Sequence, residues 1–351
     1  MPRLILTGQW LAWSKFRLFD WKSNHGMALF TLTTSGLNHT KLLKGNMKYI
    51  SLFSGIEAAS VAWEPLGWEP IAFCEFDKTP SKVLAKNFTG IPNLGDVIKV
   101  DWNKYRGTAN IVVGGSPCQA FSVAGARKGL NDLRGQLMLE YLRACAEIDP
   151  EWIIWENVPG VLSSNGGRDF ATLLNFVSKL WGARGGGGAW RVLDAQYFGV
   201  PQRRKRIYLV INTHDWRRAV NVLYDSASLQ GYTCKAGQKA EALRASRLER
   251  RLSGSNKVQC RIDTQSSAPT MSDACPTLLR HNRNDPPYVW GGGYHFRRLT
   301  AEECEALQGF PPGWTDCLRY RERIGVLGNS MAVPVMRWLG SRIDTISKEA
   351  K

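Results

Sequence analysis

Short apolar runs alternate with amphipathic stretches between residue 48 and about residue 212. The runs with the length and hydrophobicity of buried strands are residues 49–53, 70–75, 111–113, 152–156, 191–195 and 206–211, with a further short strand ending at residues 95–97. The stretches that space their apolar positions as helices do are residues 58–63, 78–87 and 136–148. This alternation predicts an α/β fold with a doubly wound, mostly parallel sheet in residues 47–212.

Three other segments have different patterns. Residues 1–46 show no period of 2 or 3.6 and are either an N-terminal extension or sequence upstream of a natural start at Met47. Residues 213–296 are polar and basic, with one predicted helix at residues 241–252, and we expect a small second domain there. Residues 297–351 form a compact closing segment that we expect to complete the first domain.

The net charge of the chain is +16 at pH 7. Between Pro201 and Cys260 there are 13 Lys and Arg against 4 Asp and Glu, an excess of 9 positive charges in 60 residues. Such concentrated positive charge is typical of a protein that binds a polyanion such as nucleic acid. The alternative is a basic surface that serves solubility alone.

Eight cysteines are scattered along the chain without a Cys-x-x-Cys pair. This spacing predicts reduced thiols in a cytoplasmic protein rather than disulfides or a metal site. No run of 18 apolar residues is present, which argues against a membrane-spanning segment.

A cysteine follows one of the predicted strands directly. The apolar run at residues 111–113 ends on Gly114 and Gly115, and Pro117 then constrains the turn that carries Cys118. Open α/β sheets place their chemistry just beyond the carboxyl ends of such strands, so Cys118 is a candidate nucleophile. A buried structural cysteine is the alternative.

Acidic residues occur at the ends of successive predicted strands. The turn Phe53-Ser54-Gly55 lets a ligand approach backbone amides, although it lacks the multi-glycine dinucleotide fingerprint. Glu75 follows about 20 residues later, where a partner for ribose hydroxyls is expected, and Asp96 could accept a hydrogen bond from an adenine amino group. Together these positions favour an adenosine-type cofactor, whereas each acid by itself could be a helix cap.

Glu156 ends another predicted strand, so in a parallel sheet it would share one edge with Cys118. A thiol and a carboxyl at one edge suit addition of a nucleophile to a ring that an acid protonates. The basic segment at residues 201–206 could lower the pKa of Cys118 or hold phosphate. A capping role for Glu156 and a solvated charge run at residues 201–206 are the alternatives.

Six motifs follow one another along the chain: Phe-x-Gly from Phe53, Pro-Cys-Gln from Pro117, Glu-Asn-Val from Glu156, Gln-x-Arg-x-Arg from Gln202, Leu-Gln-Gly-Phe-Pro from Leu307 and Gly-Asn-Ser from Gly328. Through them residues 48–345 closely resemble the DNA (cytosine-5) methyltransferase family, including its prophage-type members. The resemblance implies a Rossmann-like class I methyltransferase domain with S-adenosyl-L-methionine as cofactor. It also implies double-stranded DNA as partner, read by a small target recognition domain at residues 213–296.

The resemblance assigns roles to individual residues. The catalytic residues it implies are Cys118 as nucleophile, Glu156 as the acid that holds the target base, and Arg204 and Arg206. The cofactor-binding residues it implies are Phe53, Ser54, Gly55, Glu75, Phe76, Asp96, Val97, Gly115, Pro117, Leu137, Asn329 and Val333. The DNA-binding residues it implies are Gln119, Ser122, Arg203 and Lys205.

The first motif departs from the family pattern, which usually begins with Asp-Leu-Phe and places glycines after Gly55. Here Ser51 and Glu57-Ala58 occupy those positions, which bears on how the methionine end of the cofactor is held. We expect a monomer without a metal, and the sequence leaves open whether a cognate restriction endonuclease accompanies it.

Three alternative functions remain to be compared with DNA methylation. A tRNA-modifying enzyme of the same chemistry would carry a Cys-Phe-Thr marker, which is absent from the recognition region. A catalytically silent binding protein would not need the intact Pro-Cys-Gln and Glu-Asn-Val motifs. A dinucleotide-dependent oxidoreductase would be expected to carry more glycines in the first turn.

Overall fold

A computed structural model of the chain describes residues 46–117, 133–224, 259–261, 271–272, 275–276, 278, 288–291 and 295–349. The strands are β1 (Lys48–Leu52), β2 (Glu69–Cys74), β3 (Ile111–Gly114), β4 (Trp152–Asn157), β5 (Gly187–Asp194), β6 (Gln202–Arg203), β7 (Lys205–Asn212), β8 (Gln259–Arg261), β9 (Met271–Ser272), β10 (Cys275–Pro276), β11 (Tyr288–Gly291) and β12 (His295–Arg298). The helices are α1 (Ala58–Trp63), α2 (Lys78–Asn87), α3 (Leu133–Ile148), α4 (Arg168–Trp181), α5 (Trp216–Tyr224), α6 (Ala301–Gln308), α7 (Tyr320–Asn329) and α8 (Val333–Glu349).

Six strands form the main sheet in the order β2-β1-β3-β4-β7-β5. The first four strands run parallel to their neighbours, whereas β7 pairs antiparallel with both β4 and β5. The mostly parallel α/β fold predicted from the sequence is therefore confirmed. Strand order reverses beside β1, and in open α/β sheets ligands bind outside the carboxyl ends of the strands at such a point.

Apolar side chains fill both faces of the sheet. On one face Tyr49 and Val113 pack with α1, α5 and α8, and on the other Ile50 and Val112 pack with α3 and α4. Successive residues of a strand point to opposite faces, so a strand that is covered on both sides becomes a continuous apolar run. This is the physical origin of the runs seen in the sequence.

The closing segment returns to the start of the domain. Helix α8 lies against α1, where the indole Nε1 of Trp63 donates a hydrogen bond of 2.8 Å to the carbonyl of Met336. A Cβ atom added to Gly340 would approach the Trp63 ring to 2.4 Å, so the glycine permits this close packing. Residues far apart in the chain thus share one core.

The strand predicted to end at residues 95–97 is wrong. Asn93 makes an isolated bridge to Phe73, and the chain then turns at Gly95, whose φ is +76°. The carboxylate of Asp96 accepts a hydrogen bond from the backbone N–H of Ile98, as in a turn. A left-handed glycine directly after the bridge ends the extended conformation, so Asp96 lies in a loop.

Two predicted boundaries in this domain also differ from the observed ones. Strand β5 begins at Gly187, within the glycine-rich stretch, because Gly186 and Gly188 allow the backbone to approach the carbonyls of Thr213 and Val210. Helix α3 begins at Leu133 rather than at residue 136.

The described part of the predicted recognition region consists of short strands. β12, β11, β8 and β9 form a four-stranded sheet, and β10 pairs with β6 of the motif that begins at Gln202. The helix predicted at residues 241–252 lies outside the described residues, as does the extension at residues 1–45. A search of the described helices found none with the length and hydrophobicity needed to cross a membrane.

Candidate functional site

Strands β1, β3 and β4 end side by side at one edge of the sheet. Leu52 pairs with Gly114, and Gly114 pairs with Trp155. The turn after β1, the turn after β3 and the side chain of Glu156 therefore meet at the same edge. The structure brings together the segments that the sequence analysis singled out separately.

Two glycines make this meeting sterically feasible. A Cβ atom on Gly114 would lie 2.3 Å from the carbonyl oxygen of Leu52. A Cβ atom on Gly115 would lie 2.9 Å from the carbonyl oxygen of Glu156 and 3.0 Å from its Oε2. The absence of side chains at these positions lets the Glu156 carboxyl group lie directly against the turn that leads to Pro117.

Side chains of β4 hold that turn. The amide Nδ2 of Asn157 donates a 3.0 Å hydrogen bond to the carbonyl of Ser116, and the indole Nε1 of Trp155 donates a 3.0 Å bond to the Ser116 hydroxyl. All three residues are buried. The sequence did not reveal this bracing role, although the polar Asn157 at the end of a buried strand was a signal for it.

Three of the predicted site residues fall on the segment immediately after this turn. Pro117 is exposed and is the last described residue before it. Cys118, Gln119 and Ser122 lie outside the described residues, so their predicted roles stay predictions.

Glu156 and Arg206 form an ion pair at this edge. Nε of Arg206 lies 3.2 Å from Oε1 of Glu156, and both side chains are largely shielded from solvent. Oε1 nevertheless has no aligned hydrogen-bond donor among the described residues. Burial raises the pKa of Glu156, whereas the guanidinium groups of Arg206 and Arg204 act in the opposite direction, and burial prevails.

The position of Arg204 differs from the one expected for a side chain that binds phosphate or the thiolate of Cys118. Its side chain is 2% exposed and donates bonds of 3.1 Å to the carbonyl of Gly328 and of 2.6 Å to the carbonyl of Ser330. Burial and the neighbouring charge of Arg206 lower its pKa to about 10. Arg204 therefore connects the β6–β7 segment to the last motif of the chain.

The neighbours of Arg204 on both sides are exposed. Strand alternation buries Gln202 and Arg204 and leaves Arg203 and Lys205 exposed. Of the four residues predicted to bind DNA, the structure describes Arg203 and Lys205.

The predicted cofactor residues near β1 and β2 lie together. The backbone N–H of Gly55 donates a 2.8 Å hydrogen bond to Oε2 of Glu75, and the N–H of Asp77 donates a 2.7 Å bond to its Oε1. Ser54 binds the end of β2 through a 3.0 Å bond from the N–H of Cys74 to its hydroxyl. The ring of Phe76 is 76% exposed, which is unusual for so large an apolar side chain and suits stacking with a planar ligand.

The other predicted cofactor residues surround this region less closely. Val97 is buried, and its carbonyl accepts hydrogen bonds from Trp102 and Arg143, whereas Asp96 is half-buried in the loop described above. Leu137 of α3 is half-buried against the same core.

The last two predicted cofactor residues belong to the final motif. Asn329 is exposed at the end of α7, between the two residues whose carbonyls bind Arg204. Val333 is buried at the start of α8. A Cβ atom added to Gly309 would lie 3.2 Å from the Cβ atom of Val333. Trp314 ties the preceding motif to the cofactor turn, because its indole Nε1 donates a 2.9 Å bond to the carbonyl of Ile56.

Comparison with known proteins agrees with this architecture. The model of the family described as C-5 cytosine-specific DNA methylase matches residues 47–273 and 216–345. A protein of Escherichia phage P1 named DNA N-6-adenine-methyltransferase is 29% identical over 84% of this chain and 61% of its own length. The type II methyltransferase M.Eco47II of Escherichia coli is 32% identical over 62% of this chain and 51% of its own length.

The chain thus spans between half and two thirds of the length of these two relatives. Among solved structures, the S. pombe Dnmt2 methyltransferase has a TM-score of 0.59 at 17% identity, and the match covers 87% of this chain and all of that one. At this identity the likeness concerns the fold.

Proposed function

The chain belongs to the C-5 cytosine-specific DNA methylase family, and from this premise we propose that it methylates C5 of cytosine in double-stranded DNA. The observation that carries the proposal is the position of Glu156, which lies within contact distance of the turn that leads into Pro117-Cys118. A carboxyl group that can donate a proton beside a thiol is what addition to a pyrimidine ring requires.

In the proposed reaction the thiolate of Cys118 attacks C6 of the cytosine and forms a carbon–sulfur bond. The electron pair of the C5–C6 double bond then becomes available at C5, which takes the methyl group. Loss of the C5 proton to a base expels the thiolate and restores the aromatic ring. A lowered thiol pKa would favour the first step, and Arg206 is the described guanidinium at this edge that remains partly accessible.

Glu156 would act on N3 of the same ring. Burial raises its pKa and so favours the protonated form, in which the carboxyl group can donate a proton or a hydrogen bond to N3. This makes C6 more electrophilic at the moment of attack.

The residues present fit S-adenosyl-L-methionine, which supplies the methyl group when bound. Phe76 offers an exposed ring for stacking with adenine, and Glu75 offers a carboxylate beside the Gly55 turn. Phe53, Ser54, Asp96, Val97, Gly115, Pro117, Leu137, Asn329 and Val333 complete the proposed set.

The target base must leave the duplex to reach this edge of the sheet. Unstacking costs a few kcal/mol, and phosphate contacts of the basic segment after Pro201 would offset that cost. Arg203 and Lys205 are exposed beside the site, and we assign them to the DNA backbone together with Gln119 and Ser122. Their contribution should weaken steeply with salt.

The name of the phage P1 relative suggests adenine N6 as a second target. The Pro-Cys-Gln motif favours cytosine, because attack of a thiolate on C6 activates C5 of a pyrimidine and has no counterpart in methylation of an exocyclic amine. Mass spectrometry of nucleosides from DNA methylated by the protein separates 5-methylcytosine from N6-methyladenine.

A trapping experiment tests the proposal more directly. DNA that carries 5-fluorocytosine at the target site should form a covalent adduct, because fluorine cannot leave as the C5 proton does. The target sequence is first identified by bisulfite sequencing of DNA from cells that express the protein. C118S should abolish the adduct, whereas C317S should retain it, since Cys317 is an exposed thiol that belongs to none of the six motifs. An adduct with C118S, or none with the unaltered protein, would overturn the proposal.

A further inference from the structure

An aromatic side chain is exposed at the edge of the sheet where Glu156 lies. Strand β7 pairs antiparallel with both β4 and β5, so β4 and β5 end at the same edge and β7 begins there. Between β5 and β6 the chain forms a short 3₁₀ turn, Ala195–Phe198. Tyr197 of this turn is 50% exposed. A large ring therefore meets solvent at the edge to which we assign the reaction.

Contacts on both sides hold this turn in place. The carboxylate of Asp194 accepts a 2.9 Å hydrogen bond from the backbone N–H of Arg204, and the N–H of Ala195 donates a 3.0 Å bond to the carbonyl of Arg204. At the other end the ring of Phe198 packs edge-on against Trp338 of α8, with centroids 5.5 Å apart. A ring carried by an anchored turn needs little further ordering when it binds a partner, which favours binding.

Two exposed cations lie at the same end of the sheet. Lys205 is the first residue of β7 and pairs with the last residue of β5, whereas Arg203 belongs to β6, which pairs with β10 of the recognition region. Tyr208, three residues after Lys205, pairs with Glu156. At about 3.3 Å per residue, Lys205 lies about 10 Å outward from Glu156 along the strand. A base held at Glu156 would leave its sugar and phosphates on this outward side.

We propose that the ring of Tyr197 stacks on the base next to the flipped cytosine. The inference rests on the proposed function, since it requires a base that leaves the duplex. Flipping deprives the neighbouring base of a stacking partner, and an aromatic side chain can replace that partner because every base has a π-face. An aromatic ring beside exposed cations is the combination that binds unstacked nucleotides, the cations holding the phosphates.

Binding of DNA that carries the mapped target site tests the inference. Y197A should raise the Kd roughly 5- to 100-fold, the range for loss of one base–aromatic stack, and Y197F should change it less than about twofold. The control L180A removes a side chain that is 41% exposed in the last turn of α4, and it should bind as the unaltered protein does.

The dependence of binding on salt separates the ring from the cations. Y197A should leave the slope of log Kd against log salt unchanged, because a tyrosine neutralises no phosphate. K205M should reduce that slope by about one. A reduced slope in Y197A would mean that the substitution acts through the neighbouring cations, and it would overturn the stacking contact.

Fluorescence of 2-aminopurine next to the target cytosine reports on the stack itself. Two duplexes carry this base analogue on the 5′ or on the 3′ side of the target. Its emission rises when a stacking partner is lost, so the complex of one duplex with Y197A should be brighter than its complex with the unaltered protein. Y197L keeps an apolar contact without an aromatic ring and should resemble Y197A, whereas Y197F should resemble the unaltered protein.

The outcomes separate this inference from the proposed function. If the unaltered protein formed the 5-fluorocytosine adduct but Y197A bound target DNA as tightly as it does, the inference would fall and the proposed function would stand. Equal losses of affinity in Y197F and Y197A, or equal emission from all complexes of both duplexes, would also overturn the stacking contact. If the unaltered protein formed no adduct, the proposed function and the inference would fall together.

Discussion

Arg206 stands 3.2 Å from Glu156 across two paired strands, and the two side chains form an ion pair in which Oε1 of Glu156 has no aligned donor. The guanidinium opposes the effect of burial on the pKa of Glu156 without cancelling it. Burial thus favours the protonated carboxyl group and Arg206 the charged one, close to the turn that leads to Cys118. Four of the predictions below concern this site and the contacts that support it.

Replacement of Glu156 by glutamine should lower turnover by about 10²- to 10⁴-fold, with a smaller effect on DNA affinity. An amide still forms hydrogen bonds with the base but cannot deliver a proton to N3. Single-turnover methylation and DNA binding, measured on the same preparation, check this. An unchanged methylation rate would make Glu156 a structural residue.

Replacement of Arg206 by methionine should raise the pKa of Glu156 further, because burial then acts with less opposition. If protonated Glu156 is the active form, the alkaline limb of the pH–rate profile should move to higher pH, while the maximal rate falls. The control is R217M, which removes an arginine that is 71% exposed on α5. An alkaline limb that stays in place would separate Arg206 from the titration of Glu156.

A methyl group at position 115 should displace the carboxyl group of Glu156. In G115A the added Cβ would lie 2.9 Å from the carbonyl oxygen of Glu156 and 3.0 Å from its Oε2, so one of them must move. Misplacement of a reacting group by about 1 Å costs about 10²-fold in rate, and we expect a loss of this order. G160A is the matched control, since nothing lies within 4 Å of its Cβ position. Equal activity of the two variants would contradict the proposed role of Glu156.

Removal of the Arg204 side chain should destabilise the contact with the final motif. R204M leaves the carbonyls of Gly328 and Ser330 without their donor, at a cost of about 2–4 kcal/mol. We expect a decrease of several degrees in melting temperature and weaker binding of S-adenosylhomocysteine, because Asn329 lies between those carbonyls. R217M again serves as control, and melting curves like those of the unaltered protein would rule out the anchoring role.

Glu57 should make the stability of the protein depend on pH. Burial raises its pKa to about 7 in the folded chain, and the pKa is near its ordinary value of 4.5 when unfolded, so the folded state binds the extra proton between these values. The stability that this proton contributes is complete below pH 4.5 and is lost as the pH rises through 7. The loss is on the order of 3 kcal/mol.

E57Q should therefore melt at a higher temperature than the unaltered protein at pH 8.5, and the difference should shrink at pH 5.5. E64Q, at an exposed position just after α1, should follow the unaltered protein at both values. A melting temperature of E57Q that differs from the unaltered protein by the same amount at both pH values would show that Glu57 does not titrate in this range.

The strands and most helices could be predicted because their causes are local. Helix α2 has the predicted bounds, 78–87, because Asp77 caps its N-terminus by accepting a bond from the N–H of Thr79. The strand predicted to end at residues 95–97 was wrong because an acid after a stretch that contains Ile91 and Leu94 resembles a strand end as much as a turn. The left-handed conformation of Gly95 makes this stretch a turn, and only the folded structure shows that conformation.

The contacts that shape the site could not be predicted in the same way. The partners of Arg204 lie 124 and 126 positions further along the chain, and no local pattern distinguishes a buried anchor from a solvated cation within Arg203-Arg204-Lys205-Arg206. The sequence analysis noted Glu57 as a departure from a pattern, but only the fold shows that its carboxyl group is buried and half unpartnered. The burial of Arg204 and of Glu57 depends on residues that are distant in the chain.

The hydrogen bond from Trp63 to Met336 joins residues 273 positions apart, and this separation affects how the chain folds during its synthesis. While the ribosome synthesises the chain, α1 cannot complete its packing until α8 emerges, so part of its apolar face stays exposed to chaperones or to other nascent chains. Such long-range contacts slow folding, because the intervening chain must be closed first. We therefore expect the turn at Gly55–Glu57 to settle last, and a newly made molecule to gain cofactor affinity only at the end of folding.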